Sequence, residues 1–291
     1  MIQTNDFIEK INSYLDACIP FSEDINDGLA QSMRYSLLAG GKRIRPLLVL
    51  EFASALGEDQ GKVLPVACAV EMIHTYSLIH DDLPCMDNDV LRRGKPTNHV
   101  IYGECTATLA GDALQPLAFE TILSSSLPVE RAAKCARILS QCIGMKGMCL
   151  GQYLDMLGEG KNLTEDELDR INNNKTGALL AASCGIGTAA GGGSESQISA
   201  AMDFGYKIGL AFQIRDDILD VISTSEELGK TVGSDAEEQK NTYMVLLGKE
   251  KCENEIERLT EEAISLLEKQ FTGLDISAPV ELARSMKNRK N

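Results

Sequence analysis

The stretch KVLPVACAVEMIHTYSLIHDD, residues 62–82, is apolar at helical spacing for about six turns and then stops on two adjacent carboxylates. It runs on as LPCMDNDVLRRGKPTNH, residues 83–99, so Asp81, Asp82, Asp87 and Asp89 are soon followed by Arg92, Arg93 and Lys95. An acid at a helix C-terminus has the wrong sign for the helix dipole. Neighbouring carboxylates also repel, by about 4 kcal/mol at about 4 Å in a half-shielded site. A frayed, solvated helix end is therefore the weaker reading, and acids assembled to hold a cation the stronger.

Outward from this segment nearly everything keeps the helical period. FIEKINSYLDACI and INDGLAQSMRYSLLA read as amphipathic helices before a break at Gly40-Gly41, and RPLLVLEFASALG follows with Pro46 in its first turn. Beyond the charged loop come ECTATLAGDALQPLAFETIL, where Pro116 predicts a kink, then PVERAAKCARILSQCI and MKGMCLGQYLDML. Capping boxes, Thr164 with Glu167 and Ser194 with Gln197, open helices reaching about residue 190 and the 220s, and the tail beyond 240 is helical too. No alternating strand pattern competes and no Pro/Ser-rich linker divides the chain. The expectation is one all-α domain spanning residues 1–291.

The 291 residues carry a net charge of -15 and few aromatics, with no Trp. Such a surface repels nucleic acid and anionic lipid, so neither is expected as a partner. The nine cysteines form no CxxC pair, and the seven-residue spacing of Cys135, Cys142 and Cys149 reads as buried core thiols. MIQTNDFIEK has no apolar leader pattern and no run approaches a membrane span, which points to a reduced, cytoplasmic protein without stable membrane insertion.

A second acidic cluster lies in FQIRDDILD, with Asp216, Asp217 and Asp220 among apolar neighbours. Gly205 and Gly209 precede it on a similar stripe, for tight packing or for ligand room. His74, Ser77, Leu78 and Asp81 share one stripe of the first helix, which suggests a wet cavity. Two oxygen-only clusters favour Mg²⁺ or Mn²⁺ over zinc, and magnesium commonly bridges carboxylates to substrate phosphates. Lys42, Arg43 and Arg45 in GGKRIRP, with Arg92 and Arg93, are the cations available to grip them. No GxxxxGKS pattern occurs, so a nucleotide P-loop is not expected. Lys175-Thr176 lies inside a helix among small side chains, either snorkelling to water or facing a cavity.

DDLPCMD followed by LRRGKP, together with GGKRIRP, the Lys175-Thr176-Gly177 triplet and FQIRDDILD, resembles the trans-isoprenyl diphosphate synthases in order and spacing over essentially the whole chain. The resemblance implies a helical bundle of the isoprenoid synthase type around a deep central cavity, with the acidic motifs facing across its mouth. It implies three Mg²⁺ ions, with Mn²⁺ able to substitute, held by Asp81, Asp87 and Asp216 with Asp82, Asp217 and Asp220 in support. Arg92 would help hold the allylic diphosphate. Lys42, Arg45, His74 and Arg93 match positions that bind isopentenyl diphosphate, and Lys175, Thr176, Gln213 and Lys230 line the allylic diphosphate and the nascent carbocation. A homodimer is likewise implied.

Product length follows from Tyr76 and Ser77. Tyr76 lies five residues before Asp81, about 7.5 Å along the axis, and in similar enzymes an aromatic near that position floors the pocket at fifteen carbons. An ordinary core tyrosine is the plain alternative. Farnesyl diphosphate is the expected product, with geranylgeranyl diphosphate second. A non-catalytic regulatory subunit and a terpene cyclase are weaker readings, because both acidic clusters and GGKRIRP are intact. The C-terminal KNRKN is read as a solvated tail rather than a basic flap.

Overall fold

The structure, a computed structural model, describes residues 2–19, 27–222 and 241–287. Lys230 and the last residues of the KNRKN tail lie outside these. Helices α1 (Ile2–Cys18), α2 (Gly28–Leu37) and α3 (Ile44–Ala55) lead into α4 (Gln60–Asp81), the helix of the opening stretch. After the acidic loop come α5 (Asn98–Tyr102), α6 (Glu104–Leu123), α7 (Val129–Ile143), α8 (Met148–Gly158) and α9 (Glu165–Asn172). A π-turn (Asn173–Gly177) joins α9 to α10 (Ala178–Ala190), and α11 (Glu195–Ile222), α12 (Tyr243–Leu247), α13 (Lys249–Gln270) and α14 (Ser277–Lys287) complete the chain. The all-α, single-domain expectation holds.

α4 is the central rod. It starts where the Asp59 side chain accepts a hydrogen bond from the Gly61 N–H at 2.6 Å, and Pro84 prevents its continuation past Asp82. Val63 through Ile79 supply core side chains against α3, α6 and α10. α4 is in fact long and apolar enough to cross a membrane, contrary to the reading of the sequence, yet two-thirds of its apolar window is buried inside the bundle. Its apolarity therefore belongs to the core. α10 is buried at every residue and carries α11 on its outer side.

Both capping boxes form: Thr164 with Glu167, and Ser194 with Gln197 through reciprocal backbone bonds of 2.9 and 3.3 Å. α6 passes through Pro116 as one helix. Cys135 and Cys142 are buried, but Cys149 is exposed, because α7 ends at Ile143 and the Gly144–Gly147 break puts Cys149 on a helix of different phase. A short antiparallel ladder in the charged loop, β1 (Leu91–Arg92) on β2 (Lys95–Pro96), was not legible in the sequence. Nor was the π-turn inside what reads as a continuous helix.

The glycines account for that turn. A Cβ on Gly151 of α8 would stand 2.1 Å from the Lys175 nitrogen, and one on Gly209 of α11 would stand 2.8 Å from the Gly177 Cα. The turn is thus pressed between two backbones. Gly205 serves the same packing, since its Cβ would lie 2.4 Å from the Ala181 Cα. Alanine there gains roughly 1 kcal/mol of helix propensity, but the overlap with α10 outweighs it. Gly205→Ala is expected to lower stability by about 1–3 kcal/mol in urea unfolding; an unchanged or raised midpoint would contradict this packing.

Candidate active site

α8, α9, the π-turn and α11 converge, with the loop after α4, on one cleft of about 190 Å³. Asp87, from the loop after α4, and Asp216 and Asp217, from α11, line it together with Lys175 and Gln213. The two acidic segments, more than a hundred residues apart in the chain, therefore face the same space. Asp81 stands at its edge, and its charge acts on both Asp87 and Lys175.

The six aspartates divide by what they touch. Asp82, 3% exposed, receives Arg92 Nε at 2.6 Å and Nη2 at 2.5 Å. Asp217, 6% exposed, accepts Gln213 Nε2 at 3.2 Å and the Tyr243 N–H at 2.8 Å, tying α11 to α12. Asp220 is buried one turn further along α11. Asp87 and Asp216 line the cleft, and Asp81, partly exposed, lies within electrostatic reach of its Lys175. Burial pushes the Asp81 carboxyl up to about 6, and repulsion from Asp87 and Asp82 adds to this against the pull of Lys175 and Arg92.

The π-turn presents the next layer. Lys175 Nζ donates to Asp155 Oδ2 at 2.6 Å. Burial works against its charge, but Asp155, Asp87 and Asp81 more than offset that and raise its pKa above the usual value. Thr176 Oγ1 donates to Gln213 Oε1 at 3.4 Å, so the two neutral oxygens lie side by side. Asp155 went unnoticed in the sequence. The signal was its position four residues after Gly151, on the face of α8 that meets the π-turn.

Around His74, two turns back along the same stripe of α4, the arginines gather. Half-buried His74 is held well below its ordinary pKa, first by burial and then by Arg45, Arg93, Arg92 and Arg43. Arg45 is itself lowered to about 10 by burial, with Arg93 adding to it and Glu71 opposing. Arg93 donates to the Gly40 carbonyl, and a Cβ on Gly41 would stand 2.7 Å from its guanidinium. The Gly40-Gly41 pair, with φ of 91° and 123°, makes room for that arginine. Lys42 is exposed at the rim. Arg43 is no phosphate ligand here: it is 3% exposed and pairs with Glu71 at 2.6 Å inside the core.

Tyr76 is buried where α4 meets α8, its hydroxyl 3.9 Å from Cys149 Sγ and its ring edge-on to His80 at 5.7 Å. Ser77 turns its hydroxyl back onto the His74 carbonyl at 2.9 Å, so it adds less polarity to a cavity than its stripe suggested.

Asp81, Asp87 and Asp216 suit a hard cation. They offer only oxygen, and Asp81 carries the repulsion that a cation relieves. Among the described residues no three His, Cys, Asp or Glu side chains close around a single point. Magnesium commonly keeps waters and shares a few carboxylates with substrate phosphates.

Comparison with known proteins agrees with this geometry. The chain belongs to the polyprenyl synthetase family, whose profile matches residues 26–273. It is 47% identical over 263 residues to heterodimeric geranylgeranyl pyrophosphate synthase large subunit 1, chloroplastic, of Arabidopsis thaliana, covering 88% of this chain and 70% of the relative. It superimposes on the crystal structure of an FPP/GFPP synthase from Zymomonas mobilis with a TM-score of 0.86 and 33% identity, covering 97% of each chain. A Helicobacter pylori geranyltransferase complexed with magnesium and isoprenyl diphosphate aligns with a TM-score of 0.85 and 36% identity, over 98% of this chain and 95% of that one. Prenyl transfer is thus the activity of the family. The expected cytoplasmic location is corrected by the plant relatives, several of which are named as chloroplastic.

His74 generates a pH test. Its folded pKa is depressed, so it is neutral in the folded state, while the unfolded chain binds a proton near pH 6.5. The stability from a neutral His74 is present above about pH 6.5 and lost as pH falls below it. Wild type should lose stability relative to His74→Gln between pH 7 and pH 5 in parallel urea titrations. A pH-independent difference would contradict the arginine surround.

Proposed function

We propose that this polyprenyl synthetase elongates an allylic diphosphate with isopentenyl diphosphate, and that its end product is the twenty-carbon geranylgeranyl diphosphate. The observation that carries the reaction is the single cleft lined by Asp87, Asp216 and Asp217 with Lys175 among them. Its acids suit metal-bridged diphosphate, and the arginines around His74 suit a second diphosphate.

Asp81, Asp87 and Asp216 would hold Mg²⁺, which when bound supplies positive charge to the departing diphosphate. Arg92, oriented by Asp82, and Lys175, oriented by Asp155, add fixed cationic donors on the same leaving group. Arg45 and Arg93 bind the diphosphate of the isopentenyl substrate, with Lys42 at the rim, and His74 beside them stays neutral and adds a hydrogen bond without a charge. The allylic C1–O bond breaks and its electron pair leaves with the diphosphate. Thr176 Oγ1 and Gln213 Oε1, 3.4 Å apart, turn neutral oxygens toward the allylic cation. The terminal carbon of the isopentenyl double bond attacks C1, which leaves a tertiary cation on the isopentenyl unit. The carbon between that cation and the carbon bearing the diphosphate then loses a proton to the released diphosphate, forming the new double bond. No protein nucleophile is required.

The relatives named as geranylgeranyl synthases support the twenty-carbon product over the fifteen-carbon one read from the sequence. Tyr76 favours farnesyl diphosphate as the second reading, because its ring is fixed between His80 and Cys149 about 7.5 Å below Asp81. Purified protein with Mg²⁺, dimethylallyl diphosphate and labelled isopentenyl diphosphate should release a twenty-carbon product. A fifteen-carbon product that lengthens in Tyr76→Ala moves the assignment to the second reading. No condensation with any allylic primer, in folded protein, overturns the enzyme reading in favour of a non-catalytic subunit.

The homodimer is supported by Val100, Ile101 and Leu109, each about half exposed on α5 and α6. Light scattering should return twice the 31.6 kDa chain mass. A monomer would instead match the arrangement of a large subunit awaiting a different chain.

A further inference from the structure

Arg92 and Arg93, assigned above to the two diphosphates, sit on one short hairpin that has no hydrophobic anchor. Its tip is Arg93-Gly94, with φ of 54° and 72°, the pair of positive values that a tight two-residue loop requires. Its large apolar residues stand clear of the core, Val90 being 60% and Leu91 61% exposed. Between the hairpin and α4 lies a hollow of about 30 Å³, bordered by Thr75, Leu78 and Asp82 on one side and by Arg92 and Arg93 on the other. Packing alone therefore does not fix where these arginines stand. Their guanidinium groups do reach Asp82 and the Gly40 carbonyl, but those are the groups that a diphosphate must also engage.

What holds the hairpin backbone is polar and comes from α2. Asn98, 2% exposed at the return end, donates its amide N–H groups to the Ser32 carbonyl at 2.9 Å and to Ser36 Oγ at 2.8 Å. Its Oδ1 accepts the buried Ser32 hydroxyl at 2.7 Å. The Tyr35 hydroxyl donates to the Pro96 carbonyl at 2.7 Å. Thr97 closes the base, its N–H donating to the Val90 carbonyl at 3.0 Å and its hydroxyl to the Asp89 carbonyl at 2.7 Å. Ser32, Tyr35 and Ser36 are spaced three and four residues apart, so one face of α2 makes every bond to the return limb. A satisfied buried polar network fixes one geometry where apolar contact would allow several.

We infer that Asn98 is a positioning residue for prenyl transfer, which sets Arg92 and Arg93 against the two diphosphates by locking their hairpin to α2. The inference rests on the prenyl-elongation reading above. Asn98 is buried and does not line the acidic cleft, so its effect passes through the hairpin backbone to both arginines at once. Losing it weakens the use of the allylic and the isopentenyl diphosphate together. Losing one arginine weakens mainly the use of its own diphosphate.

The test compares full-length wild type with Asn98→Ala, alone and combined with Arg92→Lys or Arg93→Lys. Asn98→Ala should lose about tenfold in kcat/KM for each diphosphate, mainly through KM. In the Arg92→Lys background its further loss should shrink to under about threefold for the allylic diphosphate, and in Arg93→Lys likewise for the isopentenyl one. Tyr35→Phe with Ser36→Ala, which removes two bonds of the same network, should show the same pattern more weakly, and it carries the comparison if Asn98→Ala does not fold. Unchanged KM values with only a lowered melting temperature, a loss for one diphosphate alone, or an equal loss in the arginine variants would each overturn the inference. A wild type that elongates no allylic primer would instead defeat the elongation reading itself.

Discussion

Carboxylates placed at the C-terminal end of a buried helix are unfavourable on two counts: they meet the negative end of the helix dipole, and they meet one another. Asp81 sits at that helix end, and burial first, then repulsion from Asp87 and Asp82, push its pKa up to about 6. The surrounding structure is arranged to sustain this acid without neutralising it. Asp82 pairs with Arg92 and Lys175 with Asp155, and the cleft lining still holds more carboxylates (Asp87, Asp155, Glu159, Asp216 and Asp217) than cations, with Lys175 among them. A divalent cation together with a diphosphate is the ligand that such an excess selects.

The same logic runs in reverse two turns back along α4, around His74. There the excess is positive, with Glu71 already committed to Arg43, and His74 kept neutral by the crowd of guanidinium groups. Two turns of one helix thus separate acids that need metal to take a diphosphate from cations that do not. The chain's net charge of -15 therefore does not prevent it from binding two anions.

The sequence was most legible where chemistry repeats. The helical period identified nearly every element, and the two aspartate clusters pointed to one site because carboxylates among apolar residues have few other uses. It was least legible where backbones touch. The π-turn that aims Lys175 and Thr176 arises from Gly151 and Gly209 pressing on it from two helices, and no periodicity along one strand of sequence encodes that. Arg43 read as a phosphate ligand because it sits between Lys42 and Arg45; only its left-handed backbone, with φ of 50°, turns it inward to Glu71. Asp155 was missed because a single acid on an amphipathic helix looks like ordinary surface until its neighbour Lys175 is known. Cys149 left its heptad because a four-residue break reset the phase.

The central claim is that the open carboxylates bind diphosphate through Mg²⁺ and cannot do so without it. Calorimetric titration with a non-ionising allylic thiolodiphosphate, in Mg²⁺ and again in EDTA, tests this most directly. The account predicts tight binding only with Mg²⁺, and its loss in Asp81→Asn even when Mg²⁺ is present. Equal affinity in EDTA, or an Asp81→Asn variant that binds as wild type does, would contradict it.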